Sequence, residues 1–345
     1  MQLRLHAFEL PLRHRFTISR ESIDVQPTLV VELQQEGLRG YGEATSNAYY
    51  GYSLAAMATA LEANREAIES AVWDEPSELW EQMQPRLADN PFALCALDQA
   101  AHDLWGKLRG APVYQLWGLT LDNLPTSNYT LGIDTPEQMV AKLNEMPGWP
   151  IYKIKLGTDR DIELVQLLRE HTQATFRVDA NCGWSVEQTL DFAPQLQQLG
   201  VEFIEQPLPP DQSAGLRRLH RESPLPIIAD ESCIVEADVD RCAGMFHGIN
   251  IKLVKCGGLT PARRMIARAR ELDLQVMVGC MTESTVGISA IAQLLPLLDY
   301  VDMDGAALLA QDIATGVRVE RGICHYPDEN GCGVQLLHAG RNPSD

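Results

Sequence analysis

Lys153 and Lys155 stand two residues apart in the short run Tyr152-Lys153-Ile154-Lys155-Leu156-Gly157. Side chains alternate along a strand, so both ammonium groups point to one side of it. Neighbouring like charges make each other easier to deprotonate, and an amine beside a second cation is one way to obtain a base that works near neutral pH. Taken alone, the pair describes a wet strand face. Its chemistry depends on what stands elsewhere in the chain.

Acids and a further lysine recur at the ends of other short apolar runs. These are Val178-Asp179-Ala180-Asn181, Ile204-Glu205-Gln206-Pro207, Ala229-Asp230-Glu231-Ser232, Ile251-Lys252-Leu253 and Val301-Asp302-Met303-Asp304-Gly305. If the runs are successive parallel strands, Asp179, Glu205 and Asp230 converge on one mouth. Three converging carboxylates cannot all stay ionised without a cation. An all-oxygen set with room for water and substrate oxygens suits Mg²⁺, one per chain, and would also accept Mn²⁺. Lys155 and Lys252 then face each other across the mouth, one base for each face of a carbon. That is the requirement of a 1,1-proton transfer, with the metal taking the charge that develops on the adjoining carboxylate. Lys153 is the neighbour that tunes Lys155. Lys255, one helical turn past Lys252, is expected to be solvated or structural.

The elements that must position these residues are legible as a rhythm. From about residue 124, β-like runs alternate with helical patterns: Thr126–Leu131, Ile151–Leu156, Phe176–Asp179, Phe203–Glu205, Ile227–Asp230, Gly248–Leu253, Gln275–Val278 and Tyr300–Met303. Eight such runs, roughly 25 residues apart, predict a parallel (β/α)8-type barrel with reactive residues at the C-terminal strand ends. The sequence before it reads differently. Strands are expected over Leu3–Leu10 and Thr28–Leu33, with turn chemistry at Gly37–Gly42 and a mobile connection at Phe16–Ile23. Helical patterns run over Ser53–Val72, Ser77–Leu87 and Pro91–Leu108. This predicts an α+β capping domain over 1–122 and a barrel over 123–321. A Gly-rich tail, 322–345, folds back on the cap instead of completing a regular helix.

The 345-residue chain carries a net charge of −19, which argues against nucleic acid or an anionic membrane as partner. Apolar residues make up 45% of it, with no run long enough to cross a bilayer and no signal-like apolar stretch after Met1. The eight cysteines form no Cys-x-x-Cys pair, so reduced thiols in a cytoplasmic protein are expected. Phosphate-loop, dinucleotide and serine-hydrolase motifs are missing.

Together these motifs resemble the enolase superfamily, and within it the muconate lactonizing enzyme subgroup. The resemblance rests on Lys153-Ile154-Lys155, Asp179-Ala180-Asn181, Glu205-Gln206-Pro207, Asp230-Glu231-Ser232 and Asn250-Ile251-Lys252 leading to Gly257-Gly258. Upstream, Ala96-Leu97-Asp98 through Asp103-Leu104-Trp105-Gly106-Lys107 is similar to the family's helix before the barrel. It implies a modified (β/α)7β TIM-type barrel capped by an α+β domain whose loops close the site. It also implies Mg²⁺ on Asp179, Glu205 and Asp230, acid/base lysines at 155 and 252, and, by analogy, a homo-oligomer.

Within the subgroup, Asp302-Met303-Asp304 resembles the Asp-x-Asp with which dipeptide epimerases bind a substrate's N-terminal amine. N-acylamino acid racemases and o-succinylbenzoate synthases, the nearest alternatives, act on substrates without that cation and would leave buried carboxylates unpaired. The competing structural role has Asp302 against a backbone donor and Asp304 capping a turn. A non-catalytic metal-binding barrel is the alternative of another class. Epimerases acting on L-Ala-D/L-Glu carry an arginine in the first cap loop where this chain has Ile23, with Arg20 close but offset. Ile23 favours an apolar C-terminal residue in an L-Ala-Xaa dipeptide, while Glu21 leaves a cationic one open. Tyr49, Tyr50 and Tyr52 are candidates to line the pocket. Glu283 follows the seventh run and would either bond a lysine or touch substrate.

Overall fold

A computed structural model describes residues 1–18 and 22–343. The chain opens with a three-stranded antiparallel sheet of β1 (Gln2–Thr17), β2 (Ser22–Gln35) and β3 (Leu38–Thr45). Helices α1 (Leu54–Ala63), α2 (Arg65–Ser70), α3 (Pro76–Met83), α4 (Pro91–Arg109) and α5 (Val113–Leu116) follow. Asn64 splits the helix expected over 53–72 into two.

The turn expected at Gly37–Gly42 is only Glu36-Gly37, both at positive φ. Gly40 and Gly42 lie within β3 because α4 packs directly on that strand. A Cβ on Gly42 would sit 2.1 Å from the Ala96 carbonyl oxygen, and one on Gly40 2.3 Å from that of Ala100. Strand pairing also enters both ends of the connection expected over 16–23. Phe16 pairs with Ile23 and Thr17 with Ser22, so the β1–β2 hairpin continues almost to its tip. Arg20 and Glu21 lie outside the described residues.

The barrel begins with β4 (Tyr129–Leu131), α6 (Pro136–Glu145), β5 (Ile151–Lys155), α7 (Asp161–His171), β6 (Thr175–Asp179), α8 (Val186–Gln198) and β7 (Val201–Glu205). It continues with α9 (Ser213–Glu222), β8 (Ile227–Ala229), α10 (Glu236–Cys242), β9 (Gly248–Ile251), α11 (Leu253–Cys256), α12 (Leu259–Glu271), β10 (Gln275–Gly279), α13 (Thr285–Ala292) and β11 (Tyr300–Asp302). The strands pair in parallel, in chain order from β4 to β11. Caps recur where helices leave the mouth: Ser185 and Gln188 form a reciprocal capping box on α8.

Among the described residues no backbone ladder joins β4 to β11, so the barrel is nearly closed. Its seam is held by side chains instead. Asn128 Nδ2 donates to Asp302 Oδ1 at 2.8 Å, Met303 N–H donates to Ser127 Oγ at 3.0 Å, and Thr130 N–H donates to Asp304 Oδ2.

One apolar core runs continuously from the cap sheet through α4 into the barrel. Beyond β11, a short 3-10 turn (Gly305–Leu308) and two two-stranded ribbons lead back to the cap. There Cys332 N–H donates to Asp103 Oδ1 on α4 and Arg341 bridges to Ala7 on β1. No helix among the described residues is long and apolar enough to cross a membrane.

Candidate active site

Register does most of the positioning. Lys155 on β5 is level with Asp179 on β6, and Asp179 with Glu205 on β7. Asp230 follows β8 by one residue, Lys252 follows β9, and Asp302 closes β11. All of these groups are buried at the C-terminal mouth of the barrel. A cavity there is walled by Lys155, Asp230, Lys252, Asp302 and Asp304 from below, and by Phe16, Ile18, Ile23, Tyr49 and Tyr50 from the cap.

One oxygen from each of Asp179, Glu205 and Asp230 lies within 4.8 Å of the others, as the ligands of a single cation would. Burial pushes the Glu205 carboxyl up to about 7, and the charges of Asp179 and Asp230 push the same way. A hard divalent ion would relieve that repulsion, so the residues fit a Mg²⁺ site.

Around the trio the lysines form a counter-charge shell. Lys155 Nζ lies 2.6 Å from Asp179 Oδ2, and Lys252 Nζ lies 3.3 Å from Asp230 Oδ2. Strands β5 and β9 are second and sixth of the eight, so these two amines approach the cavity from opposite sides. Burial is the largest influence and lowers the Lys252 pKa, but Asp230, Glu205 and Tyr50 together outweigh it and hold the group above its ordinary value.

Lys153 behaves differently from the expectation of mutual deprotonation. Its Nζ lies 2.7 Å from Glu205 Oε2, 2.8 Å from Asp302 Oδ2 and 3.5 Å from Asp179 Oδ2. Burial opposes its charge, yet Asp302, Glu205 and Asp179 together hold it well above the usual lysine range. It is a fixed ammonium beside Lys155.

Three further polar residues order the metal trio. Lys255 is not solvated: its buried Nζ donates to Asp230 Oδ1 and to the Asp230 carbonyl at 2.6 Å each, and to the Cys233 carbonyl at 2.9 Å. Asn250 Nδ2 donates to Glu205 Oε1 at 2.7 Å, and its side chain fills the space a Cβ on Gly279 would need. Gln206 Oε1 accepts from the Asp230 and Ser232 N–H groups. The Asn-x-Lys-x-x-Lys spacing of 250–255 was the available signal for Lys255 and Asn250. Only the fold reveals what they touch.

Asp302 and Asp304 both reach the cavity. Burial first, and then the charge of Asp302, push the Asp304 carboxyl up to about 8. Cys280, unremarked in the sequence, lies beside them with Sγ 3.9 Å from Asp304 Oδ1. Ile23 stands on the cavity wall, and Tyr50 is half-buried near Lys252 and Lys255.

Glu283 takes neither role expected of it. Its Oε1 accepts from the Met281 N–H at 2.8 Å, its carboxylate packs against Gly287, and Met281 and Thr282 form the wall at that point. It is a loop-forming residue.

Comparison with known proteins points the same way. Residues 3–118 match the family described as mandelate racemase / muconate lactonizing enzyme, N-terminal domain, and residues 137–339 the enolase C-terminal domain-like family. An L-Ala-D/L-amino acid epimerase of Flavobacterium johnsoniae is 56% identical over 98% of this chain and 100% of its own. The L-Ala-D/L-Glu epimerase of Bacillus subtilis, solved with substrate bound, superposes with a TM-score of 0.92 at 26% identity, covering 99% of both chains. A dipeptide epimerase of Cytophaga hutchinsonii, solved with Mg and D-Ala-L-Val, gives 0.91 at 26% identity, covering 98% of this chain and 96% of that one.

Proposed function

The chain belongs to the mandelate racemase / muconate lactonizing enzyme family of the enolase superfamily, and on that premise we propose that it is a Mg²⁺-dependent dipeptide epimerase. It inverts the α-carbon of the C-terminal residue of an L-Ala-Xaa dipeptide whose Xaa side chain is apolar. The single observation that carries the dipeptide reading is Asp304, a buried carboxyl on the cavity wall with no ion-pair partner among the described residues. A substrate ammonium supplies the missing charge, whereas an N-acylated amino acid would leave it unpaired.

Asp179, Glu205 and Asp230 are the residues that would hold Mg²⁺. The ion supplies Lewis-acid stabilisation of the negative charge that a carboxylate gains as its α-proton leaves. Lys155 and Lys252 move the proton: one takes it from one face of the α-carbon and the other returns one to the opposite face. Whichever lysine acts as base must enter the reaction neutral, and the other must enter as ammonium. Lys153, held as a cation by Asp302, Glu205 and Asp179, is the fixed charge behind Lys155.

Phe16, Ile18, Ile23, Met281 and Leu308 give the cavity an apolar side, and no arginine lines it among the described residues. Those residues favour apolar Xaa over glutamate. The homologue of Flavobacterium johnsoniae, named for a general amino acid in the second position, supports that breadth. The reading also places the capping domain at 1–122, its boundary with the barrel at 122/123, and the chain in the cytoplasm as a homo-oligomer without nucleic-acid or membrane partners. Free thiols at Cys95, Cys233, Cys242, Cys256, Cys280, Cys324 and Cys332 are consistent with a reducing compartment.

Incubating a mixed L-Ala-Xaa library with the Mg²⁺-loaded protein in deuterated water tests the reading. Apolar dipeptides are expected to gain one mass unit at the α-carbon. Exchange confined to N-succinyl amino acids would overturn it.

A further inference from the structure

Lys252 directly follows β9, and the segment after it is too short to hold its own place. Residues 253–256 make the single turn of α11, and Gly257 and Gly258, at φ 95° and 122°, lead the chain into α12. A helix of one turn has almost no stability of its own, so its position is set by what grips its two ends. Lys255 grips Asp230 on the barrel side. The other end is gripped by the cap.

Asp98, buried on α4, accepts at Oδ2 from the Thr260 N–H at 2.9 Å and at Oδ1 from Thr260 Oγ1 at 2.7 Å. The Leu259 N–H also donates to its carboxyl. These N–H groups belong to the first turn of α12, where a helix cannot satisfy its own donors. Gly258, in the N-cap position, has no side chain to do so, and a Cβ there would lie 2.3 Å from Asp98 Oδ2. A residue of the cap thus takes the place of the Ser or Asp that caps a helix from within. Trp80 on α3 adds a second hold, donating from Nε1 to the Gly257 carbonyl at 2.9 Å.

From this geometry we propose that Asp98 is a positioning residue for proton transfer: as a helix cap supplied by the capping domain, it fixes the segment 252–260 and with it the place of Lys252 beside the α-carbon. The proposal rests on the epimerase reading and adds to it a residue that lines no part of the cavity. A second contact of the same kind serves as the comparison. Glu43 on β3 accepts from the Ser284 and Gly287 N–H groups, each at 3.1 Å, at the start of α13. The loop before α13 carries Met281 and Thr282 of the cavity wall but no lysine. Loosening the cap at Glu43 therefore disturbs the wall, whereas loosening it at Asp98 disturbs Lys252.

The test follows the interconversion of L-Ala-L-Val and L-Ala-D-Val by the full chain at excess Mg²⁺, with hydrogen or deuterium at the α-carbon of valine. In one direction Lys252 removes the proton, and in the other it delivers one. Asp98→Ala should lower kcat by about tenfold or more in both directions with KM little changed, since displacing a reacting group by about 1 Å can cost about a hundredfold. With the step at Lys252 now the slow one, the α-deuterium isotope effect should rise in the direction where Lys252 removes the proton and fall toward unity in the other. Asp98→Asn should recover most of kcat, because its amide can accept from the Thr260 N–H and donate to Thr260 Oγ1. Thr260→Val, which keeps both N–H groups paired, should show the same divergence at smaller size, and it decides the matter if Asp98→Ala does not fold. Glu43→Gln should raise KM and leave the two isotope effects as they are in the wild type.

Isotope effects that do not diverge in these Asp98 and Thr260 variants overturn the proposal, since a merely destabilised chain loses active molecules without changing which step is slow. The same divergence in Glu43→Gln also overturns it. So does a wild-type kcat in Asp98→Ala at excess Mg²⁺, which would place the effect at Asp230 instead. If the wild type epimerises no L-Ala-Xaa dipeptide, the epimerase reading falls and the proposal with it, whereas turnover without the divergence overturns only the role of Asp98.

Discussion

At the scale of single residues, the site is built from charges that neutralise one another in fixed pairs. Lys155 with Asp179, Lys252 with Asp230 and Lys153 with Glu205 and Asp302 leave little charge unmatched. Lys155→Ala and Lys252→Ala should each abolish α-proton exchange, a loss of at least about a thousandfold, while calorimetry still detects Mg²⁺ binding. Wild-type turnover in either variant would remove the two-faced assignment. Lys255 does not itself line the cavity and holds Asp230 from behind by its carboxylate and its carbonyl. Lys255→Met should weaken Mg²⁺ by about tenfold, in the range seen when groups behind metal ligands are lost. Excess Mg²⁺ should restore most of kcat, and a low kcat at saturating metal would show that Lys255 does more than hold Asp230.

At the scale of elements, the proposed chemistry stands on the barrel strands, and the cap supplies the facing wall of the cavity. The β1–β2 hairpin reaches the cavity with Phe16 and Ile23, which pair across it. Ile23→Arg should raise the ratio of kcat/KM for L-Ala-L-Glu over L-Ala-L-Val by about fivefold, the worth of one partly exposed charge pair. An unchanged ratio would show that the hairpin does not read the side chain. The contact of β3 with α4 sets where the hairpin hangs. Gly42→Ala should cost about 1–3 kcal/mol in denaturant unfolding through overpacking against α4.

The strand runs were legible because parallel strands buried on both faces read as short apolar stretches, and the acids at their ends stand out against that background. Metal trio and opposed lysines were legible for the same reason. What a side chain meets across the barrel was not. Lys255 reads as a lysine on a short helix, and only the fold brings it beneath Asp230. Glu283 read as a residue of the mouth because it follows β10, but Gly287 leaves room for its carboxylate to pack inside the loop. The glycines of β3 read as a turn because their reason, the backbone of α4, lies more than fifty residues away in sequence.

At the scale of the whole molecule, buried acids set how stability responds to pH. Burial first, and then the charge of Glu43, push the Glu283 carboxyl up to about 8, which matches the elevation of Asp304 to about 8. A carboxyl raised in the folded state keeps its proton where the unfolded chain has already released it. The folded chain therefore holds more protons between the ordinary carboxylate range and about pH 8, and its stability falls as pH rises through that window. The metal-free protein should show a Tm that declines from pH 5 to pH 8. Glu283→Gln should show a smaller decline, and an identical slope would mean that Glu283 ionises at its ordinary value.

The open seam between β4 and β11 bears on how this enzyme can change over generations. Asp302 and Asp304 line the cavity proposed to hold the dipeptide and also close the barrel, since Asn128 and Thr130 reach across the gap to them. A lineage that altered these two positions to accept a new head group would loosen its own scaffold in the same step. Variation at the hairpin carries no such penalty, because Ile23 closes nothing. Drift in preference among relatives should therefore accumulate in the cap and in the second residue of the dipeptide, with the demand for a free amine the last to change.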